Sequence, residues 1–321
     1  MTYPYVVGVD LGATQIRACL ADTEGNIMRE ARQPTLAQEG LQPVLKRLKA
    51  TIAQVLPEAP EAHAVAIGVG SPGPLDPRTG VVIAPPNLLG WHNVPLRDIL
   101  SQEFGLPVYV NNDANVAALA ELRFGAGRGC SDMVYLTIST GIGGGIICNG
   151  QLLLGAHGLA GEPGHATVEP AGPRCNCGNV GCLEVMAAGP AIARHALELI
   201  RRGYDSSLCT VVREGMELSA EMVGKAAQEG DSVALQAIQR AAHYLGISVL
   251  NLIHIFDPDR VILGGGVSKL GSLLFEPVRA WVREHAITPV QRETPIVPAA
   301  LGDQVGLLGA VVWAVDNISP A

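Results

Sequence analysis

Long apolar runs are missing from this sequence. No segment of about 18 residues goes without a polar interruption, so no membrane-spanning helix is expected. Charge is scarce as well. Only 16% of the 321 residues are charged, and acidic residues outnumber basic ones 30 to 22, for a net charge of −8. A broad nucleic-acid-binding face needs a basic surplus, so no nucleic-acid partner is expected. No basic stretch precedes the strand-like run that starts at Tyr5, so no secretory leader is expected and the compartment is read as cytoplasmic. Low-complexity linkers are absent. Nor do the seven cysteines form a disulfide framework. The count is odd, three are clustered, and Cys19, Cys130, Cys148 and Cys209 read as small buried hydrophobes, a pattern that fits a reducing environment.

What is present is an α/β pattern. The chain is 48% apolar, with 38 glycines and 22 prolines that imply many turns, and it is long enough for two domains. Short β-rich runs fall at 5–10, 16–22, 64–70, 108–113, 134–140, 145–149 and 260–264. Helical patterns lie at 41–55, 114–124, 191–202, 219–228 and 232–255. This alternation predicts largely parallel sheets. Two hairpins are embedded in it, 6–9 with 16–21 and 134–138 with 145–148. Their likeness suggests an internal duplication with one copy opening each domain and a boundary within 114–129. The last helical stretch, 306–315, is expected to pack back on the first domain.

The segment from His165 to Glu184 carries the sharpest chemical signal. His165, Cys175, Cys177 and Cys182 offer one imidazole and three thiolates within a run rich in Gly, Pro and Asn. Such ligands suit a closed tetrahedral Zn²⁺. Four protein ligands leave no position for a reactive water, so the metal would be structural. Glu162 and Glu184 flank the loop and are candidates for contacts to a polyhydroxylated ligand.

Three glycine-rich turns end strands: Asp10-Leu11-Gly12-Ala13-Thr14, Ser139-Thr140-Gly141-Ile142-Gly143 and Leu263-Gly264-Gly265-Gly266. Bare backbone lets N–H groups approach an anion closely. Asp10 beside phosphate implies an intervening Mg²⁺. None is a Walker A loop, because the Gly-Lys-Ser/Thr ending is lacking. Each alone reads as an ordinary turn; the three together fit a nucleotide in an interdomain cleft. In Val108-Tyr109-Val110-Asn111-Asn112-Asp113-Ala114-Asn115, Asp113 ends a strand where a ligand would sit. A helix N-cap is the competing reading, and on this segment alone it is the favoured one. Asn87 and Trp91 share a loop. Asn87 could serve a sugar hydroxyl, while Trp91 reads as a core anchor.

Taken together these residues resemble the ROK family of sugar kinases and sugar-responsive repressors, from Val6 to Ala310. Gly161-Glu162-Pro163-Gly164-His165 and the Cys175–Glu184 run are the most specific part. The resemblance implies an actin-like, hexokinase-like (ribonuclease H-like) α/β fold of two domains with an interdomain cleft. The division would be a small N-terminal domain of 1–118 plus 301–321 and a large C-terminal domain of 119–300 carrying the zinc loop 165–182. It implies transfer of the ATP γ-phosphoryl to a hexose hydroxyl, with glucose and its 6-hydroxyl the first choice, on the pattern of the family's bacterial glucokinases. Mannose, fructose, allose, an N-acetylhexosamine, or a non-catalytic sugar sensor are alternatives. It implies Asp113 as general base and sugar contacts from Asn87, Asn112, Asp113, Glu162, His165 and Glu184. It implies nucleotide contacts from Asp10 with Mg²⁺ and from Gly12, Thr14, Thr140, Gly141, Gly143 and Gly265. His165, Cys175, Cys177 and Cys182 would hold Zn²⁺, and a homodimer or homotetramer is the family habit. Ala13 and Gln15 stand where the first turn usually has Gly and Lys, Pro163 replaces an aliphatic residue, and Val305 replaces a small alanine. Ala13 would weaken ATP binding. A first strand by Tyr5 leaves no room before it for a repressor's helix-turn-helix arm.

Overall fold

The computed structural model describes residues 5–57 and 64–318. β1 (Tyr5–Leu11) is buried along nearly its whole length, as a central strand must be. A short turn returns the chain as β2 (Gln15–Ala21), antiparallel, with Val6 opposite Ala21 and Asp10 opposite Arg17. β3 (Ile27–Pro34) continues the meander. α1 (Leu41–Val55) buries Val44, Leu45, Leu48, Ile52 and Val55, a three-to-four-residue stripe against that sheet. β4 (Ala64–Ser71) follows. β5 (Leu75–Asp76), β6 (Val81–Val82) and β7 (Val94–Pro95) make a small separate sheet. α2 (Leu96–Phe104), β8 (Val108–Asn112) and α3 (Asp113–Phe124) complete the first half.

The second half opens with β9 (Met133–Ile138), β10 (Ile142–Cys148) and β11 (Gln151–Leu152). Helices α4 (Leu183–Ala187), α5 (Gly189–Arg201), α6 (Cys209–Arg213), α7 (Ala220–Gln228) and α8 (Ser232–Phe256) follow. Then come β12 (Arg260–Gly264), α9 (Ser272–His285), α10 (Pro289–Arg292), β13 (Ile296–Pro298) and α11 (Val305–Ile318).

The main sheets run β3-β2-β1-β4-β8 and β11-β10-β9-β12-β13. Ranked by chain order, both sets read third, second, first, fourth, fifth. In both, the first three strands are antiparallel and the last two join in parallel. The suspected duplication is therefore present as a repeated topology. The expectation of largely parallel sheets is corrected to mixed ones. Turns as short as 12–14 and 139–141 can only link antiparallel neighbours, since a parallel crossover needs a dozen residues or so.

Between the sheets lie α3 and α11. The helix expected at 306–315 does pack on the first sheet, where Val6, Cys19 and Ala21 meet Leu307, Val311 and Ala314. Glycine makes this approach possible: a Cβ at Gly8 would lie 2.6 Å from the Leu307 carbonyl oxygen, and one at Gly309 would overlap the Val116 carbonyl of α3. α3 in turn rests on β10, where a Cβ at Gly143 would stand 2.9 Å from Ala114 Cβ. The chain passes between halves at the α3–β9 and β13–α11 connections, and one buried carboxylate holds both. Glu121 accepts from Ala126 N at 2.7 Å, Ala300 N at 3.0 Å and Leu301 N at 3.0 Å.

Candidate active site and metal loop

β8 delivers Asn112 and Asp113 to the mouth of the cleft. The cap of α3 is Asn112, whose side-chain oxygen accepts from Ala114 N at 2.9 Å and Asn115 N at 3.3 Å. That corrects the capping alternative for Asp113, which is instead the first helical residue. Its Oδ1 accepts from Ala114 N at 2.8 Å. The second oxygen is left for other chemistry. Asp113 opens on the cleft, yet protein on its other sides strips enough water to push its pKa up to about 7; Asp10 and Glu162 push the same way by charge. An acid tuned to neutrality is what proton abstraction at physiological pH needs.

At the first turn, Asp10 Oδ2 accepts from Arg17 Nη2 at 2.7 Å. Gly12 N donates to Gln15 O at 3.0 Å. Thr35, fully buried, donates from Oγ1 to Gly12 O at 2.6 Å and so fastens the turn to the end of β3. Thr14 is exposed at the tip. Ala13 is not among the residues with positive φ, so the backbone there imposes no need for glycine.

The second turn, between β9 and β10, presents Thr140 and Gly141. Gly143 lies within β10, turned toward α3. Thr140 and Ser139 form one end of a cavity of about 1310 Å³ whose walls include Pro190, Met216, Lys225, Gln228 and Leu270. At the third turn Gly265, with φ 83°, points its missing side chain at the Ile138 backbone; Gly266 is the one that lines the cavity. The α6–α7 wall was missed by sequence reasoning because it bears no motif, only small and apolar residues at helical spacing.

The metal loop gathers as the spacing suggested. One ligand atom from each of His165, Cys175, Cys177 and Cys182 lies within 4.8 Å of the rest. Cys177 Sγ and Cys182 Sγ are 3.7 Å apart and His165 Nδ1 is 3.8 Å from Cys175 Sγ. Ligands at ~2.3 Å around a tetrahedral Zn²⁺ sit ~3.8 Å from one another, so the donor set and its spacing fit that ion. Burial and the neighbouring thiols push Cys182 up to about 12, so three thiolates this close call for a cation.

Cys182 immediately precedes α4, and Glu184 in its first turn accepts from Ile142 N at 3.0 Å. Its carboxylate fills the space where a Cβ on Gly141 would stand. Glu184 thus ties the metal loop to the second glycine turn, a role its sequence position did not suggest. Pro163 packs on Gly144, fixing the loop to β10. Burial raises the pKa of Glu162; the His165 charge opposes that and the Glu184 charge adds to it. Asn112 and Glu162 line one small pocket with Asn115, a buried residue that sequence reasoning passed over. Asp10, Asn112, Asp113, Glu162, His165 and Glu184 are thereby brought together. Asn87 stands apart: it is exposed on the turn ahead of Trp91 and is not in the small pocket that Asn112 and Glu162 line. Trp91 is a core residue, 1% exposed.

Two sheets of one topology, two glycine hairpins facing a cleft, and an aspartate at the mouth of the helix between them define the actin-like, hexokinase-like class of α/β protein. Within that class the chain belongs to the ROK family, whose model matches residues 6–317. It is 39% identical over 305 residues to a glucokinase of Thermotoga maritima, 95% of each chain being covered. It is 34% identical to a xylose repressor of Caldicellulosiruptor bescii, covering 98% of this chain and 78% of the repressor. Among solved structures it resembles a ROK family glucokinase from Streptomyces griseus in complex with glucose and AMPPNP, with 34% identity, a TM-score of 0.82, and 97% and 99% of the two chains covered.

Proposed function

We propose that this protein is an ATP-dependent hexose kinase that phosphorylates the 6-hydroxyl of glucose. The observation that carries the reading is Asp113, held by one oxygen at the helix mouth with its pKa pushed up to about 7. The likeness to glucokinases of Thermotoga and Streptomyces supports the same substrate. The small domain is 1–118 with 301–321 and the large domain is 119–300, the first boundary falling within α3, the helix that leads from one half to the other.

Sugar is gripped by Asn112, Glu162, His165 and Glu184, with Asn87 brought in as the domains close. His165 serves two partners: Nδ1 faces the thiols, and its other nitrogen is free for a hydroxyl. Gly12, Thr14, Thr140, Gly141, Gly143 and Gly265 line the nucleotide path, and Gly266 joins them. Asp10 would hold Mg²⁺, an ion that would neutralise charge on the phosphates. His165, Cys175, Cys177 and Cys182 would hold a structural Zn²⁺ that would keep the sugar loop in shape. Asp113 takes the proton of the attacking hydroxyl as its oxygen bonds to the γ-phosphorus and the bond to the bridging oxygen of ADP breaks. Closure expels water, the competing acceptor.

ADP release with MgATP and a panel of hexoses tests this. Turnover with glucose, lowered about 10²–10⁴-fold in Asp113→Ala, is expected. Sugar binding without turnover on any hexose would instead identify a sensor.

A further inference from the structure

Four carboxylates, Asp10, Asp113, Glu162 and Glu184, gather around the cleft where a polyanionic nucleotide must bind. Gln15, on the first glycine turn, is neutral. Among the described residues, the one arginine or lysine paired with any of these carboxylates is Arg17, whose Nη2 lies 2.7 Å from Asp10 Oδ2. The pair is largely shielded, at 18% and 21% side-chain exposure. It is set by strand register: Arg17 stands directly opposite Asp10 across β1 and β2, so both side chains leave the same face. That face carries α11 and looks toward the second half of the molecule, because Cys19, two residues on, packs against Leu307 and Val311. Arg32 of β3 stands opposite Arg17 in turn, adding a second cation to the same row. The arrangement has a cost unless it is used. A guanidinium that neutralises Asp10 occupies the carboxylate that a Mg²⁺ ion would need.

Resting on the kinase reading above, we infer that Arg17 is the cationic nucleotide contact of the first turn. It pairs with Asp10 in the nucleotide-free protein and would turn to the phosphates when nucleotide binds, leaving Asp10 to the Mg²⁺ it would hold. Arg17 suits the exchange. Its planar fork donates to a carboxylate or to phosphate oxygens with similar geometry, and it stays protonated throughout. Position 15 shares the strand face of position 17, one period of the pleat away, so a cation placed there would point the same way.

Isothermal titration calorimetry with MgADP and, separately, with glucose tests this on wild type, Arg17→Met, Arg17→Lys and the double variant Arg17→Met/Gln15→Lys. Thermal melts confirm that each is folded. Arg17→Met should bind MgADP about 10- to 100-fold more weakly, as expected for loss of a charge-assisted bond to phosphate, with glucose affinity unchanged. Arg17→Lys should retain part of the affinity, and Gln15→Lys should restore part of it to Arg17→Met. A folded Arg17→Met that binds MgADP as wild type does overturns the assignment while leaving the kinase reading intact. A wild type that binds glucose but no MgADP overturns both.

Discussion

Asp113 offers the sharpest quantitative expectation. Its pKa is pushed up to about 7, chiefly by loss of water and then by Asp10 and Glu162. An ordinary aspartate titrates near ~3.9. With a pKa of about 7, roughly a tenth of the carboxylate is ionised at pH 6 and roughly nine-tenths at pH 8, so its capacity as a base changes about tenfold across that window; an ordinary aspartate would change by under about 1%. Carbon-13 NMR of the aspartate carboxyls in the substrate-free protein, with Asp113→Asn to assign the signal, reads the value directly. The sign for stability follows. A raised folded-state pKa contributes stability that is full below the unfolded value and is lost as pH rises through about 7. Asp113→Asn should therefore raise Tm at pH 8, and the gain should fade toward pH 4. An Asp113 signal that titrates near pH 4, or an Asp113→Asn variant no more stable than wild type at pH 8, would refute the electrostatic reasoning.

Other consequences are testable in the same preparations. Glu121→Ala leaves three backbone donors unpaired at the crossovers between the halves, and should cost about 3–5 kcal/mol in denaturant unfolding, with Glu121→Gln costing less. Gly309→Ala should destabilise by about 1–3 kcal/mol despite alanine's better helix propensity, because the added Cβ meets the Val116 carbonyl rather than a movable side chain. Chelation that removes zinc, verified by elemental analysis, should lower Tm and abolish glucose binding together, since Glu162, His165 and Glu184 all hang on that loop; undiminished glucose affinity in zinc-free protein would contradict the structural role.

Strands β1, β4, β9 and β12 were legible because central strands are continuous apolar runs, β8 because Val108 and Val110 are buried although it ends its sheet, and α8 because its apolar face recurs over seven turns. β3 was not: Ile-Met-Arg-Glu-Ala-Arg-Gln-Pro is an exposed edge with no apolar alternation, and it pairs only because the β1–β2 hairpin offers it a partner. α9 carries Pro277 within it, which obscures a helical pattern. The metal ligands could be found because metal coordination demands particular side chains at close sequence spacing. The two most consequential tertiary ties, Glu184 to Ile142 N and Arg17 to Asp10, left weaker traces. The first links segments 42 residues apart, and the second depends on hairpin register rather than on any motif. Asn112 and Asp113 show the limit at finest grain. Adjacent residues with equal capping propensity divide the roles, and only the geometry of the strand end decides that Asn112 caps and Asp113 is released.

Phosphoryl transfer to a sugar hydroxyl with Asp113 as base leaves a product that can be followed atom by atom. Its most direct test is phosphorus-31 NMR of the product formed from glucose and MgATP by wild type and by Asp113→Asn at equal, verified glucose occupancy. Glucose 6-phosphate is expected from the wild type, with at least about a hundredfold slower formation by the variant. Equal rates in the two proteins would contradict it.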